Sequence, residues 1–446
     1  MVGMLAAMPP PATLPAQSPD AVSRARGDAC PGALRLHGAD DGALARVRVP
    51  GGVLSADQAD GLCELAGRLG DGEVHLTSRG NVQLRGLGAE CGGELASRMS
   101  EMGLLPSERH ERVRNVVASA LSGLDGRGER EVRPWLSALD ASVCASEEAA
   151  GLSGRFLFAL DDGRGDVDAL GADVTLRARG GGEADLRIGA LETVARIPAD
   201  EAPGAALTAA KVFLEAAAGC GAWRVADLPG GAAPLFDAVV RRLRAGGLPL
   251  ARAVLPVPAG APPALGVVTG PGATDALSVG LPLGRADAAR WRTLTDLARR
   301  HGDGELRLTP WRGVVVPGVG RGRAGELLDA LGGAGLVTGD RSPWAGVGAC
   351  VGRPGCAKSL ADVRGDAAVA VDVRGPVPAG PALPVYWSGC ERRCGHPRGA
   401  WVDVVAGPDG YRVSVVRDGR RDAPPCVTDD PSALATAVST ARTPGT

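Results

Sequence analysis

One stretch of this chain occurs twice, and the repeat limits the architectures open to it. Gly72 to Thr77 (GEVHLT) matches Gly304 to Thr309 (GELRLT) at an offset of 232 residues. At the same offset Leu62, Leu65 and Ala66 match Leu294, Leu297 and Ala298, and Gly103-Leu104 matches Gly335-Leu336. A constant offset across three elements calls for two equivalent units built alike. Each unit opens on a helix signal. Ser55 and Gln58 form a capping box, ahead of apolar residues at helical spacing, and Asp287 takes the cap position in the second copy. Strands follow over Val74–Thr77 and Val82–Leu87, and in the second copy over Leu306–Leu308 and Val314–Val316. A helix with paired strands, used twice, predicts an α+β protein with pseudo-twofold halves.

These signals divide the chain of 446 residues. A Pro-rich tail over 1–28 is expected to be disordered. Half-domains are expected at 29–95 and 256–328, each followed by a further domain, at 96–255 and at 329–440. The run from Pro256 to Pro263 reads as a linker. With 45% hydrophobic and 22% charged residues, the composition is that of a soluble globular chain. A net charge of −2 gives no bias toward nucleic acid or an acidic membrane, and no apolar run reaches the ~18 residues of a membrane span. Only Lys211 and Lys358 are lysines, so nearly every basic residue is an arginine. A GC-rich genome explains that bias, although arginine is also the better bidentate grip on carboxylates. Ten cysteines are too sparse for a disulfide scaffold. Without an export signal, a reducing cytoplasm is the expected compartment.

Four cysteines stand in two tight pairs, Cys350-x5-Cys356 and Cys390-x3-Cys394. Four thiolates are the ligand set of a [4Fe–4S] cubane. Gly352, Pro354 and Gly355 let the first loop curl and free its amides for the sulfurs. The x3 spacing predicts two thiols on one face of a helical turn. Zinc is the competing reading; the x3 pair fits its usual spacing and the x5 pair does not. Four unrelated packed cysteines are the other.

A second candidate element is the alternating segment Arg79-Gly-Asn81-Val-Gln83-Leu-Arg85. As a strand it puts Arg79, Asn81, Gln83 and Arg85 on one face, suited to bidentate capture of carboxylates. An exposed polar face is the plain alternative. The aligned residues of the second copy, Trp311, Gly313, Val315 and Pro317, lack that character, while the second copy alone carries the cysteine pairs. Arg114 to Ser119 aligns with Gly346 to Val351, so Ala118 corresponds to Cys350, and the symmetry would bring Arg114 near the cluster.

The HLTSRGNVQLRG strand (His75 to Gly86), the RNVVAS segment (Arg114 to Ser119) and the C-x5-C…C-x3-C motif together resemble the nitrite/sulfite reductase superfamily. Within it, Trp344 to Arg364 and Ser388 to Pro397 resemble the precorrin-3B synthases of aerobic cobalamin biosynthesis. The resemblance implies duplicated ferredoxin-like half-domains and a [4Fe–4S] cluster on Cys350, Cys356, Cys390 and Cys394. It implies a precorrin-3A substrate held by Arg79, Asn81, Gln83, Arg85, Arg114 and Arg155, of which Arg79, Arg114 and Arg155 would be catalytic. The implied reaction is an O2-dependent hydroxylation with γ-lactone closure. A mononuclear iron is implied too, with His396 either a ligand or a packed structural residue. Reductases of the superfamily hold siroheme, bridged through the position of Cys394, and carry a cation where this chain has Leu157. A siroheme-dependent nitrite or sulfite reductase is thus the alternative, and a non-catalytic tetrapyrrole carrier or sensor the reading from another class. Arg392 and Arg393 place positive charge beside the second cysteine pair. No nicotinamide fingerprint follows a strand, so a ferredoxin- or flavodoxin-type donor is expected.

Overall fold

The computed structural model describes residue 28, 30–374, 382–397, 399–417, 419–421, 426–428 and 430–443; nearly all of the expected tail lies outside these. Four sheets organise them. The first runs β1 (His37–Ala39), β2 (Gly42–Val47), β5 (Val82–Leu87), β4 (Glu73–Leu76), β14 (Arg285–Asp287). The second runs β12 (Gly266–Thr269), β13 (Thr274–Gly280), β16 (Gly313–Gly320), β15 (Glu305–Leu308), β3 (Val53–Ser55).

The two copies exchange an edge strand. β14 of the second copy pairs with β4 of the first, Ala286 opposite Val74, and β3 of the first pairs with β15 of the second, Leu54 opposite Leu306. Leu54 and Ala286 are themselves 232 residues apart, so the exchange obeys the internal symmetry. Helices α1 (Ala56–Leu69) and α6 (Ala288–His301) follow these strands; Ser55 and Gln58 form the capping box on α1, and Asp287 caps α6 through the Arg290 amide. The helices pack on each other at the pseudo-twofold axis. There the indole N–H of Trp291 donates to the Ala59 carbonyl (2.8 Å), again between equivalent positions. One apolar core runs through both units, with Leu54, Leu62, Leu84, Trp291, Leu294 and Leu306 all buried. The two half-domains therefore form one body. Helices α2 (Gly92–Glu101) and α7 (Ala324–Gly333) add Leu95, Met99, Leu327 and Leu331 to this core.

The other two sheets are also alike. One runs β11 (Ala251–Val254), β10 (Thr193–Pro198), β9 (Glu183–Ile188), β8 (Val174–Arg179), β7 (Phe158–Asp161), β6 (Val116–Ala118). It packs on α3 (Arg133–Ala145), α4 (Ala202–Ala217) and α5 (Ala232–Ala245) around Phe156, Phe158 and Phe213. The other runs β17 (Val347–Ala349), β18 (Val385–Ser388), β19 (Trp401–Gly407), β20 (Gly410–Arg417), β21 (Arg420–Arg421), with β22 (Cys426–Thr428) also on β20. Its core with α8 (Val363–Arg374) and α9 (Pro431–Arg442) centres on Trp387, Val402 and Leu434. In both sheets three parallel strands precede an antiparallel one. Ser119 leaves the end of β6 as Cys350 leaves the end of β17, matching the alignment of these segments to within one residue.

Candidate active site

The arginine segment divides between a turn and a strand. Thr77 to Gly80 is a tight turn with Gly80 at φ +65°, where an L side chain is strained, and β5 begins only at Val82. The common face expected for Arg79, Asn81, Gln83 and Arg85 is broken at the turn. Arg79 lines a cavity of about 310 Å³ together with Asn81, Arg155, Arg46, Arg48 and Cys30. Its Nη1 donates to the Gly154 carbonyl (3.4 Å). Burial, reinforced by Arg224 and Arg48, pushes the Arg79 guanidinium down to about 10. Arg155 lies over the Trp223 ring, 4.4 Å from its centroid.

Asn81 frames the cavity. Its Oδ1 accepts from the Val49 amide (2.9 Å), and its Nδ2 donates to Asn115 Oδ1 (3.1 Å). Asn115 in turn donates to the Phe156 carbonyl. Gln83 accepts from Arg46 Nη2 (3.3 Å) and so orients that guanidinium.

Arg85 and Arg114 are engaged elsewhere. Arg85 donates to both oxygens of Asp41 (2.9 and 2.8 Å) and to the Gly355 carbonyl (3.0 Å). Arg114 donates to both oxygens of Asp140 on α3 (2.8 and 2.7 Å) and to the Leu104 carbonyl (3.1 Å). It makes a strut between α3 and the turn after α2, and no part of its guanidinium lines the arginine cavity.

Arg46 and Arg48 supply the charge that the sequence reading placed on Arg85 and Arg114. Arg48 is 2% exposed; it donates to the Arg112 and Gly154 carbonyls and to Cys30 Sγ (3.2 Å). Arg48 Nη1 and Arg46 Nε are buried with no partner among the described residues. A buried guanidinium with unspent donors is costly unless an anion arrives. The signal was present: Arg46-Val-Arg48 alternates just as the Asn81–Arg85 segment does, and β2 pairs with β5 so that Arg46 lies opposite Gln83.

The cysteine loops sit at the ends of β17 and β18. Cys350 Sγ accepts from the Gly389 amide (3.2 Å) and from the Gly352 amide. Burial pushes the Cys350 thiol up, and these two amides work against it. Gly352 has φ +69°, and a Cβ there would meet Val363 at 2.8 Å. The second pair is not helical. Cys390 to Cys394 is a turn with Arg393 in the left-handed region (φ 47°), held by Asp403 Oδ2 (2.8 Å) and by Glu391. Tyr386 donates to the Cys394 carbonyl (2.7 Å), and burial pushes its phenol up to about 12. Backbone amides aimed at a sulfur in this way, as at Cys350, make the kind of bond that a cluster's thiolates accept.

His396 stacks on Trp401 (centroids 5.2 Å apart, planes at 11°), and its Nδ1 lies 2.8 Å from the Pro397 carbonyl. With Arg393 and Arg421 these rings line a second cavity of about 560 Å³ against the Cys394 turn. Leu157 is buried with Val117, Ala159, Val167 and Ala172, and Trp311 packs on this group. Trp311 is the symmetry counterpart of Arg79, so the second copy contributes an apolar group where the first contributes a cation.

The nitrite/sulfite reductase ferredoxin-like half domain matches residues 37–99 and 270–334. A precorrin-3B synthase of a Sinorhizobium species is 26% identical over 92% of this chain and 87% of its own length. A ferredoxin–nitrite reductase of Synechococcus elongatus is 32% identical over 27% of this chain and 25% of its own length. The solved NirA protein of Mycobacterium tuberculosis superposes with a TM-score of 0.67 at 20% identity, covering 86% of this chain and 76% of that one. The two stretches that match the half domain are the two units that exchange β3 and β14, and the chain is similar to precorrin-3B synthase along most of its length.

Proposed function

We propose that this chain is a precorrin-3B synthase: an iron–sulfur monooxygenase that hydroxylates precorrin-3A with O2 and closes a γ-lactone. The observation that carries the reading over a reductase is Leu157. A small dianion such as sulfite needs converging cations in a buried cavity. Here the Leu157 position is apolar, packed with Val117 and capped by Trp311. A buried leucine there offers no cation to a small anion, while Arg46, Arg48, Arg79 and Arg155, which line the cavity, suit the acetate and propionate arms of a macrocycle.

Cys350, Cys356, Cys390 and Cys394 would hold the [4Fe–4S] cluster, which supplies one-electron chemistry when bound. The chain's own part is to orient the carboxylates and to keep the reacting face against apolar side chains. Arg155, braced on Trp223, is the cavity cation nearest to Leu157 in sequence. The mononuclear iron of the expected reaction has no assigned ligands here. Asp71, Glu73 and His75 cluster within 4.8 Å, but Asp71 is bonded to His75 and Glu73 is paired with Arg285. Electrons would come from a ferredoxin- or flavodoxin-type protein. No helix among the described residues is long and apolar enough to cross a membrane.

The fold match to NirA and the local identity to ferredoxin–nitrite reductases keep a siroheme reductase as the second reading. The visible spectrum of anaerobically purified protein separates them: broad cluster absorption alone for the synthase, added siroheme bands for the reductase. Incubation with precorrin-3A, reductant and 18O2 should then put label into the product. Tight binding without label would make the chain a carrier.

A further inference from the structure

Beside the first cysteine loop lies a cation that the proposed reaction leaves unexplained. Arg364 is the second residue of α8, and Val363 before it packs against Gly352, between Cys350 and Cys356. Arg364 Nε is buried without a partner, and among the described residues no carboxylate pairs with this guanidinium. The basic neighbours are accounted for: Arg85 is held by Asp41 and Arg285 by Glu73. Arg393, the sequence-level candidate for tuning the cluster, is neutralised by Asp403 and Glu391. Burial, with Arg285 and Arg85 adding to it, pushes Arg364 down to about 10, while Glu73 and the Cys350 sulfur pull the other way.

We infer that Arg364 is the built-in counter-charge of the cluster, a positioning residue that raises its reduction potential. The inference rests on the cubane assignment to the four cysteines. A half-buried guanidinium whose Nε–H is buried without a partner is unfavourable unless an anion faces it. A [4Fe–4S]2+ core with four thiolates carries a charge of about −2, and one electron takes it to −3 with no protein bond made or broken. That added charge is attracted to Arg364, so the reduced state gains more than the oxidised one. The electron comes from an external one-electron donor, with dithionite as the laboratory substitute. The N-terminus of α8 adds its dipole in the same sense.

The test is a redox titration of anaerobically prepared holoprotein, following the reduced-cluster signal by electron paramagnetic resonance. Iron content and visible spectrum are read first. Protein without a cluster would overturn the cofactor assignment itself, and the inference with it. With a cluster present, Arg364→Gln should lower the reduced-to-oxidised ratio at fixed potential by at least tenfold, which is 59 mV for one electron. Arg364→Lys should keep the ratio within about threefold. Glu73→Gln, which removes a carboxylate whose charge acts on Arg364, should move the ratio the other way and tests the same electrostatics if Arg364→Gln does not fold. Unchanged potentials in the variants, on intact clusters, would overturn the inference. So would a loss of tetrapyrrole binding in Arg364→Gln with the potential unmoved, since Arg364 would then be a ligand contact.

Discussion

Arg79 and Arg114 look interchangeable as sequence, yet their surroundings give them different work. Arg79 lines a cavity beside guanidiniums with unspent donors, whereas every donor of Arg114 recorded in the structure is committed to Asp140 and Leu104. Arg79→Met should therefore weaken binding of a polycarboxylate tetrapyrrole by about 1.5–3 kcal/mol, roughly ten- to a hundredfold in Kd, with little change in stability. Arg114→Met should leave Kd near wild type and cost about 3–5 kcal/mol of folding free energy, because Asp140 is left without its partner. Fluorescence titration with the tetrapyrrole and urea denaturation of both variants give the comparison. Equal Kd losses would return Arg114 to the binding shell. The sequence showed the cations but not how they are spent. Alternation along one segment says which side chains share a face only while the segment remains a strand, and Gly80 ends that condition between Arg79 and Asn81. Asp41 and Asp140, which occupy Arg85 and Arg114, lie 44 and 26 residues away in the chain and carry no local mark of the pairing.

At the scale of elements, the duplication and both helix caps were legible because they depend on local chemistry. The exchange of β3 and β14 was not, since each is only three residues long and reads as the lead-in to a helix. Its consequence is shared stability. Trp291 is fully buried on the pseudo-twofold axis, so Trp291→Ala should cost about 3–5 kcal/mol and destabilise both units in a single transition. Two separated transitions in calorimetry would mean that the units fold independently. The loop after β7 gives a pH-dependent case. Asp161 accepts from the amides of Gly163, Gly165, Val167 and Asp168, which coils the chain so that Asp166 is buried beside it. Burial, then the charges of Asp161 and Asp162, push Asp166 up to about 7, against the hydrogen bond from Ser119. The folded state thus keeps a proton that the unfolded chain has released by about pH 4–5. Stability should fall as pH rises from about 4 to 7, by up to about 1.4 kcal/mol per unit, and level off above. Asp166→Asn should remove that slope, as urea denaturation across pH 5 to 8 would show; an unchanged slope would assign it to another group.

Across the whole molecule, the half that carries the arginine cavity and the half that carries the cysteine pairs are tied together by one apolar core and two exchanged strands. At the first cysteine loop the contact between them is small and specific. Asp40 and Asp41, at the turn between β1 and β2, reach the first cysteine loop: Asp40 accepts from the Ala357 amide, while Asp41 grips Arg85, which donates to the Gly355 carbonyl. Arg85 lies on the same segment as the cavity-framing Asn81, so a single stretch of backbone touches the arginine cavity at one end and the first cysteine loop at the other. Arg85→Met would release Gly355 and leave Asp41 without its partner. A loss of about 2 kcal/mol in loop anchoring raises the population of the opened loop more than tenfold. Iron should then leave the variant at least tenfold faster under anaerobic challenge with a ferrous chelator, while Arg114→Met releases iron at the wild-type rate. Were Arg85→Met to retain iron like the wild type, the hairpin would be a neighbour of the cluster loop and not its anchor.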